Sequence, residues 1–178
     1  ALAYSAHRSG DRFGFIGCGA TLQPEWYLPA SQQTGAGIAL SQRLRNFSPT
    51  GAGANALIEG CAHMTRQRSL VFLVSDFHFP LELLDDILAR LTLHQVVPVV
   101  LWDRAEFEPP ARWGLTRLRD SESRRERFVF LTPRFAGDLA HIYARRRTQL
   151  TQRFMQYRMQ PLFMLDGFSA DNVTGYFY

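Results

Sequence analysis

The sequence predicts an α/β fold, a mostly parallel β-sheet with helices on both faces, and two observations carry that expectation. Apolar runs of strand length alternate with segments of helical periodicity, the pattern that strand-helix-strand crossovers produce. Three of those runs, LVFLVS, VVPVVLW and PLFML, each stop at an aspartate, namely Asp76, Asp103 and Asp166. Strands of a parallel sheet end this way where a polar loop leaves the carboxyl edge.

Taken in order, residues 1 to 8 read as the last turns of a helix, ended by Ser9-Gly10-Asp11, so that the chain opens in mid-element. Arg12 to Gly19, RFGFIGCG, reads as a strand. Trp26-Tyr27-Leu28 reads as a short second strand beside it, demoted to an edge by Pro24 and Pro29, which have no N–H to give a ladder. Gly35 to Phe47 follows as a helix, with Ile38, Leu40, Leu44 and Phe47 approximating one face, and Ala54 to Thr65 as another after the turn Ser48-Pro49-Thr50-Gly51.

Ser69 to Phe77 is expected to be a strand buried on both faces. The helix beginning at Pro80-Leu81 turns Leu83, Leu84, Ile87, Leu88 and Leu91 inward, with Glu82, Asp85, Asp86 and Arg90 outward or near its amino end. Val96 to Trp102 is a further buried strand. GLTRL and RFVFL, on either side of the charged RDSESRRE, read as a hairpin or arm. A long helix from about Arg134 to Met159, a strand at Pro161 to Leu165 and a short helix at Ala170 to Tyr178 complete the chain. The 178 residues, 46% apolar, fit one domain spanning 1–178.

The 20 basic residues are all arginine, which excludes a Walker A lysine, a Schiff base and a lysine general base. The net charge is only +4. Arginine nevertheless concentrates at Arg124, Arg125 and Arg127 and again at Arg145, Arg146 and Arg147. These patches read first as solvated faces, next as contacts for an acidic protein partner, and last as nucleic-acid contacts, because acidic residues interleave them. Cys18 and Cys61 stand far apart and form no CxxC pair, so they read as small buried hydrophobes in a reducing compartment. None of the five histidines lies three to five residues from another, and neither a GxSxG elbow nor a three-glycine dinucleotide fingerprint is present. No apolar stretch approaches the length that spans a bilayer.

The three edge aspartates are the candidate site. Asp166 reads as a cap, and Asp103 as a turn former with Glu106 a nearby solvated charge. Asp76 stands open between a loop cap and a hard-oxygen ligand for a divalent cation.

GDRFGFIGCG, then SLVFLVSDF, then LWDRAEFEPPARWGLTRLRDSES resemble, in order and spacing, the bacterial "domain of unknown function 58" family. That family looks like a von Willebrand factor A-type, Rossmann-like domain. Within it the chain is similar to accessory proteins encoded beside MoxR-type AAA+ ATPases. The resemblance implies an adhesion-type magnesium site. Asp76 maps onto its fourth-strand aspartate and Thr50 onto its loop threonine, while an Asp-x-Ser-x-Ser segment is expected before residue 1, in a first strand truncated from this chain. No cofactor is expected for the chain alone, and magnesium only with that upstream segment. The missing strand would leave the edge of SLVFLVS unpaired and open to self-association.

The sequence therefore reads as a non-enzymatic protein-interaction module, an assembly or maturation factor working with a MoxR-type ATPase and a client complex. Asp103, Glu106, Arg145, Arg146 and Arg147 are its candidate partner contacts. The expected location is the cytoplasm, with membranes reached through partners. The alternative from another class is a metal-dependent phosphoryl hydrolase built on Asp76 and Asp103.

Overall fold

The structure, a computed structural model, describes residues 2–47, 53–108, 113–119 and 126–177. Thr50, Arg124 and Arg125 lie outside the described residues. Contacts divide the chain, which the sequence reading treats as one domain, into two compact units, Ala1–Met64 and Thr65–Tyr178.

The first unit contains α1 (Leu2–Arg8), β1 (Phe13–Cys18), β2 (Leu22–Ser31), α2 (Thr34–Arg45) and α3 (Ala56–Ala62). β2 is ten residues long rather than the three expected, and it pairs antiparallel with β1. The prolines do not end it. They fall in the two stretches where the register slips, Pro29 between the pairs Phe13↔Ser31 and Phe15↔Leu28, and Pro24 between Ile16↔Tyr27 and Cys18↔Leu22. A strand that bulges at its prolines loses no ladder bond that proline could have made. A side chain at Gly17 would place its Cβ 2.7 Å from Cβ of Trp26, so the bare glycine lets the indole cross the strand. The indole meets Phe47 edge-on at 4.8 Å, and the Arg43 guanidinium lies 4.9 Å above it.

The apolar face expected of α2 is corrected by its burial. Leu40 is buried, but Ile38 is 63% exposed and Leu44 and Phe47 are also exposed. At about 100° per residue Ile38 points roughly opposite to Leu40, so the four residues never shared one stripe.

The second unit contains β3 (Leu70–Ser75), α4 (Leu81–Arg90), β4 (Gln95–Trp102), a 3-10 turn (Arg104–Glu106), β5 (Gly114–Arg119), β6 (Glu126–Leu131), α5 (Pro133–Gln156), β7 (Leu162–Leu165) and α6 (Ala170–Phe177). Its sheet has the order β3-β4-β7 and is parallel throughout, in register from Leu70↔Gln95 to Ser75↔Val100 and from Val99↔Leu162 to Trp102↔Leu165. Helices flank this sheet in a mixed α/β, Rossmann-like arrangement. β5 and β6 form the expected hairpin as a separate antiparallel ladder, Gly114↔Leu131 to Arg119↔Glu126.

Strand alternation divides the sheet's side chains between two layers. Phe72, Val97, Val99, Leu162 and Met164 face α6 through Val173 and Tyr176. Trp102 and Phe163, of opposite parity, meet Tyr143 and Arg147 of α5. α4 buries Leu84, Ile87 and Leu88 as its period predicts, and Arg153 of α5 pairs with Asp85 at 3.2 Å. Asp85, expected outward, thus joins two helices.

Burial on both faces describes β4, where Val96 to Val100 are all buried. It does not describe β3, where Leu73 alone is buried and Leu70 and Val74 are 50% and 49% exposed. Among the described residues β3 has one neighbour, β4, and an edge strand loses cover on the side where no partner stands.

Candidate functional site at the carboxyl edge of the sheet

The parallel register brings the loops after β3, β4 and β7 to one edge, with Asp76, Asp103 and Asp166 at its three strand ends. The three carboxylates do different work. Asp103 Oδ1 accepts the Ala105 amide at 2.9 Å and so caps the 3-10 turn. Asp166, in the left-handed region at φ 60°, accepts the Arg104 amide at 2.7 Å through Oδ1 and pairs through Oδ2 with Nε of Arg104 at 3.2 Å. It therefore caps the neighbouring strand's loop rather than its own helix. Asp76 is exposed, and its Oδ1 accepts the His78 amide at 3.2 Å while Ser75 Oγ donates to it at 3.4 Å.

The loop after β3 is held in a costly conformation. Phe77 is completely buried and has φ 55°, a region that suits glycine and costs about 1 kcal/mol or more for a bulky residue. Its ring packs edge-on against Phe154 of α5 at 5.3 Å. Its carbonyl accepts the Arg146 guanidinium at 2.7 Å, and the same nitrogen donates to the Phe79 carbonyl. Burial lowers the Arg146 pKa, against a smaller opposing pull from Glu82. Arg146 thus turns inward and fastens the β3-α4 loop, while Arg145 and Arg147 are exposed, with Arg147 4.4 Å above the Phe163 ring. The indole N–H of Trp102 donates to the Asp76 carbonyl at 2.9 Å and closes the same loop from β4.

Glu106, on the 3-10 turn, accepts the Tyr143 hydroxyl at 2.8 Å through Oε2, and the same oxygen lies 3.3 Å from Nε2 of His78. His78 stacks on Trp102 with rings 6.1 Å apart, and Tyr143 meets the rings of Trp102 and Phe107 at 5.3 and 4.9 Å. Burial is the main force raising the Tyr143 pKa above its ordinary value, followed by the bond to Glu106 and the charges of Glu106 and Asp76. The hydroxyl therefore remains a donor to Glu106 across the neutral range.

The structure thus gathers Asp76, Asp103 and Glu106 at one edge, adds His78, and brings in Tyr143, which the sequence reading did not single out. A signal for Tyr143 existed. It lies on the stripe 143, 147, 150, 154 of α5, whose Leu150 and Phe154 are buried. Among the described residues no three His, Cys, Asp or Glu side chains converge to hold a metal ion, and Thr50 lies outside them.

The sequence profile of the family described as "Protein of unknown function DUF58" matches residues 1–165. The chain belongs to this family. An uncharacterized protein in the moxR 3' region of Paracoccus denitrificans is 33% identical over 99 residues, which are 56% of this chain and 94% of that protein. A crystal structure of an uncharacterized membrane spanning protein from Vibrio fischeri aligns over 98% of this chain and 81% of its own, at 13% identity and a TM-score of 0.23. Among the described residues of this DUF58 member no helix is long and apolar enough to cross a membrane.

Proposed function

We propose that this chain is a non-enzymatic protein-interaction module of von Willebrand A-like architecture, an assembly or maturation accessory to a MoxR-type AAA+ ATPase, which docks at the carboxyl edge of the sheet. The observation that carries this reading is the prearranged edge itself. Arg146 and Trp102 fix the β3-α4 loop from beneath, while Asp76, His78 and Glu106 stay exposed upon it. A surface already ordered before binding loses less entropy on association. Asp76 and Glu106 offer carboxylate oxygens to basic side chains of the partner. The engagement of Asp103 and Asp166 in caps supports recognition over phosphoryl chemistry, and the relative in the moxR 3' region supports the choice of ATPase. Self-association through the outer edge of β3 belongs to the same reading, and a monomer at high concentration in sedimentation would remove it.

The test is direct binding between the chain and the MoxR-type ATPase of its own organism. Wild type is expected to bind, and Glu106→Ala combined with Asp76→Ala to weaken binding about tenfold or more, roughly the loss of one well-buried contact. Absence of binding by folded wild type overturns the proposal. So does turnover of a phosphate ester that disappears in Asp76→Ala, which would restore the hydrolase.

A further inference from the structure

We propose that the outward face of the β5-β6 hairpin is a docking surface for an anionic lipid bilayer, one that brings the chain to a membrane surface without spanning it. Strand alternation sorts the side chains of β6 onto two faces. Leu131 is 4% exposed, whereas Phe128 and Phe130, of the opposite parity, are 71% and 59% exposed. Trp113, just ahead of β5, is exposed as well, and its ring meets that of Phe130 edge-on at 6.3 Å. Three aromatic side chains thus lie open together on one side of the hairpin. They leave on the order of 400 Å² of aromatic surface in water, the size of patch that marks an interaction site.

Charge identifies the occupant. Residues 112–134, the hairpin and its flanks in sequence, hold seven of the 20 arginines and three of the 16 acidic residues. Their net charge of +4 is that of the entire chain, because the other residues carry 13 arginines and 13 acidic residues. The net positive charge therefore resides in the stretch that carries the open rings. An anionic bilayer complements both properties. Its headgroups attract arginine, and its interfacial region takes up aromatic side chains, tryptophan above all.

Two other occupants are less well matched. A stacked nucleobase needs a free ring face, and the edge-on packing of Trp113 and Phe130 directs the edge of one ring at the face of the other. A protein anchor needs a pocket to fill, whereas β5 and β6 pair only with each other among the described residues and offer an open ribbon. A bilayer asks only for a row of apolar side chains at one level, which alternate residues of a strand provide.

The experiment floats the whole wild-type chain with vesicles of phosphatidylglycerol and phosphatidylethanolamine in equal parts, and with vesicles of phosphatidylcholine alone. Binding to the anionic vesicles is expected to be about tenfold stronger or more. It should be lost as salt rises from about 0.1 M to about 1 M, where the screening length falls to roughly 3 Å. Hydroxyl-radical labelling of Trp113, Phe128 and Phe130 is expected to fall severalfold on the anionic vesicles, while that of Phe168, exposed in the loop after β7, stays as it was. Phe128→Ser combined with Phe130→Ser, with the circular dichroism of wild type, should bind about tenfold more weakly or worse, since the apolar area that enters the interface is gone. Absence of flotation, equal flotation with neutral vesicles, or unchanged labelling of the three rings overturns the proposal. So does binding of an oligothymidine single strand by a chain that ignores the vesicles. The labelling is read on wild type and decides the matter even where the double variant folds poorly.

Discussion

In Thr65–Tyr178 a three-stranded parallel sheet lies between helix layers, and Phe77, Leu84, Ile87, Leu88, Val100, Leu150 and Phe154 are wholly removed from solvent. In Ala1–Met64 a two-stranded hairpin carries three helices, and Leu40 and Ala56 are the buried apolar side chains described there. A hairpin with little buried area is only marginally stable, whereas a covered sheet holds loops at fixed positions. The difference explains where the candidate site sits. The prearranged edge needs a rigid base and stands on the packed unit.

The largest expected effect tests the packed side of this comparison. Phe154→Ala empties a completely buried site against Phe77, and a loss of about 3–5 kcal/mol is expected in urea unfolding. Ile38→Ala in α2, exposed as it is, should stay within about 0.5 kcal/mol. Equal losses would erase the contrast between the units.

Arg146→Ala comes next. It removes a charged donor from the Phe77 and Phe79 carbonyls, and a loss of about 2–3 kcal/mol is expected by the same measurement. Wild-type stability would make Arg146 a surface charge like Arg145. Gly60→Ala brings a methyl to 2.7 Å from the Cys18 sulfur, the end of a side chain that can turn away, and gains helix propensity, so calorimetry should record a net change below about 1 kcal/mol. A loss well above that would mean that the sulfur has no room to turn.

The smallest effect is an order of events in alkali. Cys18 rises from 9.0 to about 11 on folding, so the folded chain keeps a proton that the unfolded chain has lost, and stability declines from pH 9.0 toward about 11. Tyr143 is raised above its ordinary 10.0 for the reasons already given. Its contribution is complete below pH 10.0 and is lost as pH climbs beyond that. Unfolding free energy followed upward from about pH 8 should therefore fall first through the thin unit and then through the packed one. Tyr143→Phe should reduce the later decline, to which Tyr176, also raised by burial, contributes, and leave the earlier one. If it flattens both, the assignment of the two declines is wrong.

Legibility in the sequence follows the range of the interaction. The α4 stripe and the apolar run of β4 were readable because local period and final burial coincide there. The exposure of β3 was not, because an apolar run does not disclose whether a second neighbour will stand beside it. At the site the strand-end aspartates were readable from their place after apolar runs. Their partners were not, since Asp166 takes its contacts from Arg104, 62 positions away, and Glu106 takes its own from His78 and Tyr143, 28 and 37 away. Arg146 illustrates the same limit. Three consecutive arginines look alike on paper, and only the turn of the helix sends one of them inward.

The stacking of His78 on Trp102, at 15° between planes, gives the edge an optical readout. Of the three tryptophans Trp102 is buried, Trp26 half-buried and Trp113 66% exposed, so Trp102 emits furthest to the blue. A partner that draws His78 off the face of Trp102 would change the surroundings of that indole, and the blue side of the intrinsic fluorescence would register the event without any label.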